Sequence, residues 1–326
     1  MISHAEGYNT MTGSDKSSND LSANADTTNG AFAHAEGNAT LAKGKASHSE
    51  GQKTFAAGPH THSEGYNTQA LKDSSHSEGN GTIANGVVSH VEGAKTRTGD
   101  YAIGSVTANN DTSIGAFAHA EGNGTIAKGN SSHAEGKLTY AGGNYSHATG
   151  YNTQALGEAA VAEGNTTIAN GAASHSEGYK TRVGNYTVND IKVNTNYGTG
   201  YFAHAEGNGS IATGAGAHAE GEGTFAAGRC SHASGLGTIA MKTAQTVVGA
   251  YNDNDDNAKF IVGAGESSEA RLNCFSTGND GENNYIKIGS VVLTENILSR
   301  LIAFINDIDN GEDFEPESGD PQHDNK

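Results

Sequence analysis

The sequence predicts an all-β solenoid, a rod of short parallel strands wound in 14-residue coils. Three observations predict it. Histidine recurs at 34, 48, 62, 76 and 90, at 119, 133, 147 and 175, and at 204, 218 and 232, with a step of 14 within blocks. Glycine supplies 46 of 326 residues while tryptophan is absent and only 34% are hydrophobic, so no thick core can be filled. A chain so poor in large apolar side chains must stay disordered or repeat a thin unit many times, and the strict period selects the second. Finally, His-x-Glu and Thr-x-Ala are period-2 pairs bounded by glycine, with no 3.6-residue period.

The unit reads Ser/Ala-His-Ala/Ser-Glu-Gly-x-x-Thr-x-Ala-x-Gly-x-x, as in Ser47 to Gly58 and Ser132 to Gly143. Each unit is expected to form two short strands and two tight turns. Glycines such as Gly51 and Gly58 give the turns their backbone freedom. A threonine column runs through Thr40, Thr54, Thr68, Thr82 and Thr96 and resumes at Thr125. Twelve to fourteen coils at about 4.8 Å make a rod of roughly 60–70 Å. The inward positions are expected to hold Ala, Ser and Thr, plus one larger column at Leu41, Phe55, Ile83, Ile126, Ile168, Ile211 and Ile239.

A longer period of 85 residues relates His34, His119 and His204, and repeats Tyr66-Asn67-Thr68-Gln69-Ala70-Leu71 at 151–156. At one place in each block the chain leaves the repeat, over 14–29, 100–114 and 185–199. The third excursion alternates through Tyr186, Val188, Ile191 and Val193 around Asn189-Asp190 and reads as a hairpin. The other two read as loops.

These residues resemble the head repeat of YadA-like trimeric adhesins, which also recurs in tail-fibre and receptor-binding proteins of phages and prophages. The resemblance covers residues 1–243. It implies a left-handed parallel β-roll in which three chains form one head. In the usual adhesin repeat the slots held here by His and Glu are apolar, and Val161-Ala162-Glu163-Gly164 is intermediate. A visible signal peptide, a long coiled-coil stalk and a membrane anchor are lacking, which favours the phage or prophage version.

Residues 244–292 are expected to form a β connector, with strands at Val247–Tyr251, Phe260–Gly263 and Ile286–Val292. Residues 293–309 read as a short amphipathic helix, because Ile297, Leu301, Phe304 and Ile308 are spaced 4, 3, 4. It is too short to hold a trimer alone, and packing on its own connector is the competing reading. The acidic tail 310–326 is expected to be disordered.

The sharpest chemical feature is the ladder of His34/Glu36, His48/Glu50, His62/Glu64, His76/Glu78, His90/Glu92, His119/Glu121, His133/Glu135, His175/Glu177, His204/Glu206 and His218/Glu220. Residues two apart share a strand face. A motif present in every coil is architecture rather than a unique catalytic constellation, so neither an enzyme, nor a metal site, nor a cofactor is expected. The ladder is read as a buried or half-buried polar network in the trimer core. A carboxylate beside each ring should favour the imidazolium, raising the folded-state His pKa above about 6.5. Ice binding by the Thr column is a weaker reading, since the repeat carries one Thr per coil and no regular Thr-x-Thr ladder. Cys230 and Cys274 read as free thiols.

A formal charge of −18 argues against nucleic acid, and no apolar run is long enough to insert in a membrane. Recognition is then expected on the excursion loops, with Tyr101, Tyr186 and Tyr197 as candidate contact residues; clamping of neighbouring chains is the alternative role. The expected function is a homotrimeric surface-binding fibre segment of a phage or prophage tail. Its partners would be itself, a host-surface receptor and other tail proteins, and its place the virion tail or the extracellular space. A bacterial surface adhesin head and a purely structural spacer are the alternatives.

Overall fold

The computed structural model describes residues 3–13, 30–99, 114–184 and 199–309. Every coil contributes one strand to each of two sheets. The long strand begins at the repeat histidine, as in His34–Asn38, His48–Gln52 and His62–Tyr66. The short strand has two residues, as in Leu41–Ala42 and Phe55–Ala56. Neighbouring coils pair in parallel and in strict register, His34 with His48 and Glu36 with Glu50. The chain is therefore an all-β parallel solenoid of about 14-residue coils.

Register survives each excursion. His4 pairs with His34, His90 with His119, and His175 with His204. The stack is thus unbroken across each of these intervals. Touching glycines flank the first two intervals: a β-carbon on Gly30 would lie 2.4 Å from Gly13, and one on Gly115 would lie 2.4 Å from Gly99. Apart from Ile114 and Thr199 at their ends, the excursions, including the expected hairpin and Tyr101, Tyr186 and Tyr197, lie outside the described residues, as does the tail from 310.

Alternation sets what is inside. Between His34 and Glu36, Ala35 is fully buried, and Ser49, Ala134 and Ala219 repeat this in other coils. On the short strand the second residue points inward, giving a buried column of Ala42, Ala56, Ala84 and Ala127. Thr40, Thr54, Thr68 and Thr125 are buried as well, so the threonine column forms no water-facing surface of the kind ice binding needs. Hydroxyls pair across the core at 2.8 Å between Ser49 and Thr54, Ser63 and Thr68, and Ser77 and Thr82. The core is thin: the two sheets meet through methyl and hydroxymethyl groups.

That thinness corrects one sequence expectation. Leu41, Phe55, Ile83, Ile126, Ile211 and Ile239 do not point inward; each occupies the outward, half-buried slot of its short strand. Ile168 has the same register but is 7% exposed. With only two residues per strand, one position faces inward, and the close sheets fill it with alanine in most coils and with nothing larger than Thr98 or Val183 in the others. The role of Gly58 also differs from the expectation. Gly51 has φ +104 and needs glycine for its conformation. Gly58 does not have a positive φ; instead a β-carbon there would sit 2.5 Å from the Lys72 backbone of the next coil.

The first sheet continues beyond the histidine repeat. Thr246–Ala250 and Ala258–Ala264 add two more parallel strands. Asn273–Asn279, Asn284–Ile288 and Val291–Thr294 then follow in antiparallel pairing. The sequence reading joined 286–292 into one strand, whereas Gly289 at φ +58 breaks it into a tight hairpin. It also missed Asn273–Asn279, a polar stretch without alternating apolar residues.

The connector closes the end of the second sheet with side chains. Asn252 Oδ1 accepts from Ile239 N–H at 2.7 Å, and its Nδ2 donates to the Ile239 carbonyl at 3.0 Å. The amide thus substitutes for the next coil of the ladder. Fully buried Gln245 accepts from Met241 N–H and donates to the carbonyls of Asp255 and Ala258. Asp255 in turn receives Lys287 Nζ at 2.9 Å and the Tyr285 hydroxyl at 3.1 Å. Burial pushes the Asp255 carboxyl up, but the Lys287 bond and neighbouring donors hold it below its ordinary value. The helix Glu295–Asp309 follows. Its Ile297 and Leu301 are exposed, so this seam is not packed on the connector.

Candidate functional site

The His/Glu ladder lies on the outward face of the first sheet. Because the strands stack in register, the imidazoles stack too. Ring centroids from His34 to His147 are 4.8–4.9 Å apart, with planes within 25° of parallel. Val161 interrupts the stack, which resumes from His175 to His232 at 4.7–5.0 Å. The side chains are half-buried: from His34 onward the paired rings are 33–41% exposed and the carboxylates 31–48%. A single chain thus buries this network only in part, because each residue is covered by its own column and not from above.

A ring with acidic residues in its own and the preceding coil faces two carboxylates. His62 Nε2 is 3.2 Å from Glu50 in the preceding coil and 3.7 Å from Glu64 in its own. His175 repeats this with Glu163 at 3.3 Å and Glu177 at 3.7 Å. Elsewhere the contact is looser, as for His133 and Glu135 at 3.9 Å. The Nε2 atoms of His48, His76, His90, His119, His133, His147, His204, His218 and His232 are shut off from water without a hydrogen-bond partner. His147 and His232 have Thr149 and Ser234 in the acidic slot of their own coils.

The electrostatics reverse the expected sign. Burial, followed by the neighbouring rings, lowers the pKa of His48, His76, His133 and His204, and the glutamates only partly oppose this. His119 and His218 are also lowered, by burial first and then by one neighbouring ring. A stacked column disfavours the imidazolium because each charge would lie one coil from the next. The carboxylates share protons along their own column. Hydrogen bonds from Glu64 and Glu92 push Glu78 up to about 7, while their bonds with Glu78 hold Glu64 and Glu92 low. Glu50, Glu121 and Glu206 are raised, by burial first and then by neighbouring carboxylates.

His48/Glu50/His62 and His76/Glu78/His90 bring possible metal-ligand atoms within 4.8 Å of one another. Two imidazole nitrogens on one zinc ion, at about 2.0–2.1 Å each, can be at most ~4.2 Å apart. The His48 and His62 rings have centroids 4.8 Å apart and planes 1° from parallel, so sharing one ion would require them to tilt toward each other. The geometry favours ring stacking and carboxylate contact over ion capture.

A second surface was not recognised from the sequence. The long strands end on an edge lined by Asn123, Lys137, Tyr151, Asn165, Tyr179 and Asn208, all in one register column. The in-register pairs Gln52–Tyr66 and Tyr66–Asn80 repeat the pattern lower on the rod. Lys53 lies 5.7 Å from the Tyr66 ring centroid, Lys137 5.7 Å from that of Tyr151, and Lys180 4.7 Å from that of Tyr179. The signal was present in the duplicated Tyr-Asn-Thr-Gln-Ala-Leu segment, but the column is visible only when 14-residue steps are aligned. No protein-family model matches the chain, and no curated protein matches it.

Proposed function

We propose that the chain is a homotrimeric, left-handed β-roll related to YadA-like heads, serving as a surface-binding segment of a phage or prophage tail fibre. The observation that carries the association is the outward column of Leu41, Phe55, Ile83, Ile126, Ile211, Phe225 and Ile239, which its own chain only half buries and which Gln69, Arg97, Gln154 and Arg182 interrupt. Half-exposed Leu, Ile and Phe side chains that recur on one face between these polar positions favour a partner surface. A core of alanine, serine and threonine gives a lone chain little apolar burial to offset ordering entropy. The stoichiometry of three rests on the family resemblance of the repeat. Exposed Ile297 and Leu301 are spaced to join a coiled-coil seam in the same assembly.

Recognition, rather than catalysis, fits a surface in which the same groups recur from coil to coil and, among the described residues, no unique constellation of acid, base and nucleophile stands out. The host receptor, other tail proteins and further copies of the chain are its partners in this reading, and no cofactor is required. Sedimentation equilibrium tests the assembly, with three chain masses as the expected result and one chain mass as the result that removes it. Pull-down of the labelled protein by candidate bacterial hosts tests the surface reading, and failure on every host leaves the structural-spacer alternative.

A further inference from the structure

We propose that the edge formed by Lys137, Tyr151, Asn165, Tyr179 and Lys180 binds a linear glycan of uncharged hexoses laid along the rod. This deepens the surface-binding reading and rests on it. Tyr151, Asn165 and Tyr179 occupy consecutive coils of one column. Two coils separate the tyrosines by about 9.6 Å, comparable with a disaccharide repeat of an extended chain. Both tyrosines are exposed, although an aromatic ring of this size gains most by burial. A tyrosine ring offers a flat apolar platform for the C–H face of a sugar. The amides of Asn123, Asn165 and Asn208, one coil above or below a platform or its lysine, supply both donors and acceptors for hydroxyls.

The lysines prepare the rings. Lys137 and Lys53 sit at different places in the repeat, yet both bring Nζ 5.7 Å from the tyrosine of a neighbouring coil. Lys180 reaches Tyr179 from the adjoining corner at 4.7 Å. Such cation–π contact restrains the ring before a ligand arrives. Charge selects the ligand class. Glu135, Glu163 and Glu177 lie two residues inboard on the same strands, and the chain carries a formal charge of −18. That field repels a polyanion, whereas a neutral chain meets no such barrier.

The chain contains no tryptophan but twelve tyrosines, so binding is read by calorimetry, and a change in tyrosine emission is assigned to this edge by its loss in Tyr151→Ala/Tyr179→Ala. The 326-residue chain is titrated with cellohexaose, laminarihexaose, maltohexaose and α-mannohexaose. At least one is expected to bind, with affinity reduced roughly tenfold or more in Tyr151→Ala/Tyr179→Ala and retained in Tyr151→Phe/Tyr179→Phe. Asn165→Ala, at an exposed position, gives the same reading by calorimetry if the double alanine variant does not fold. No binding of any of the four, binding unaffected by these substitutions, or tighter salt-dependent binding of polygalacturonate or anionic vesicles would overturn the proposal. Host-cell binding that persists in the variants sinks this site but keeps the surface-binding reading. Absence of cell binding by the unmodified protein sinks that reading, and the titration still decides the site.

Discussion

Gly150 adopts φ +112, and a β-carbon there would lie 2.1 Å from the carbonyl oxygen of Gly164. Conformation and crowding therefore exclude the same substituent. Gly150→Ala is expected to cost about 3 kcal/mol or more, read as a lowered urea midpoint. Two strands' worth of neighbouring positions then separate face from core. His133 is half-exposed and in line with Val161, which already fills that slot in another coil. His133→Val should change stability by less than about 1 kcal/mol. Ala134, one residue on, is fully buried between the sheets, and Ala134→Leu should cost about 1–3 kcal/mol through overpacking. Equal effects of the two substitutions would mean that the ladder face is as tightly enclosed as the core.

At the scale of elements, the solenoid needs an end. The last short strand, Ile239–Ala240, has no further coil to pair with, and Asn252 supplies the missing donor and acceptor from a buried side chain. Asn252→Ala should cost about 1–3 kcal/mol, because it leaves buried backbone groups at Ile239 without partners. Hydrogen exchange should accelerate first at Ile239 and then toward the preceding coils, since each coil depends on its neighbours. Uniform protection in the variant would show that the connector does not seal the stack through this residue.

At the scale of the whole molecule, the two titrating columns act against each other. His48, His76, His119, His133, His204 and His218 have folded-state pKa values below the unfolded value. Their contribution is fully present above about pH 6.5 and is lost as pH falls through that value toward the folded one. Glu50, Glu78, Glu121 and Glu206 are raised, so they favour the folded state as pH falls, from about 7 for Glu78. Glu64, Glu92 and Glu220 are lowered, and their contribution is lost only on acidification below the unfolded value of about 4.3. Six histidines against four raised glutamates give a melting temperature that falls modestly between about pH 7.5 and pH 5.5, since solvent screens half-exposed groups. A melting temperature that rises over this range would mean that carboxylate pairing governs the imidazoles.

The sequence by itself determined the coil length, the strand pairs, the parallel register and the continuity of the ladder past each excursion. It could do so because period-2 alternation and a fixed 14-residue step leave one in-register stacking. The His/Glu pairs were legible for the same reason, since every ladder residue repeats at a constant offset. Only the tertiary structure decided which side of the short strand faces the core. Leu41 and Ala42 are equally compatible with alternation, and the close approach of the sheets selects alanine. It also decided the sign of the histidine shifts, because one Glu per coil reads as attraction, whereas stacking adds burial and a like-charged ring one coil away. The Lys–Tyr–Asn edge emerged last, as its members are 14 residues apart in the chain and become neighbours only when the coils are stacked.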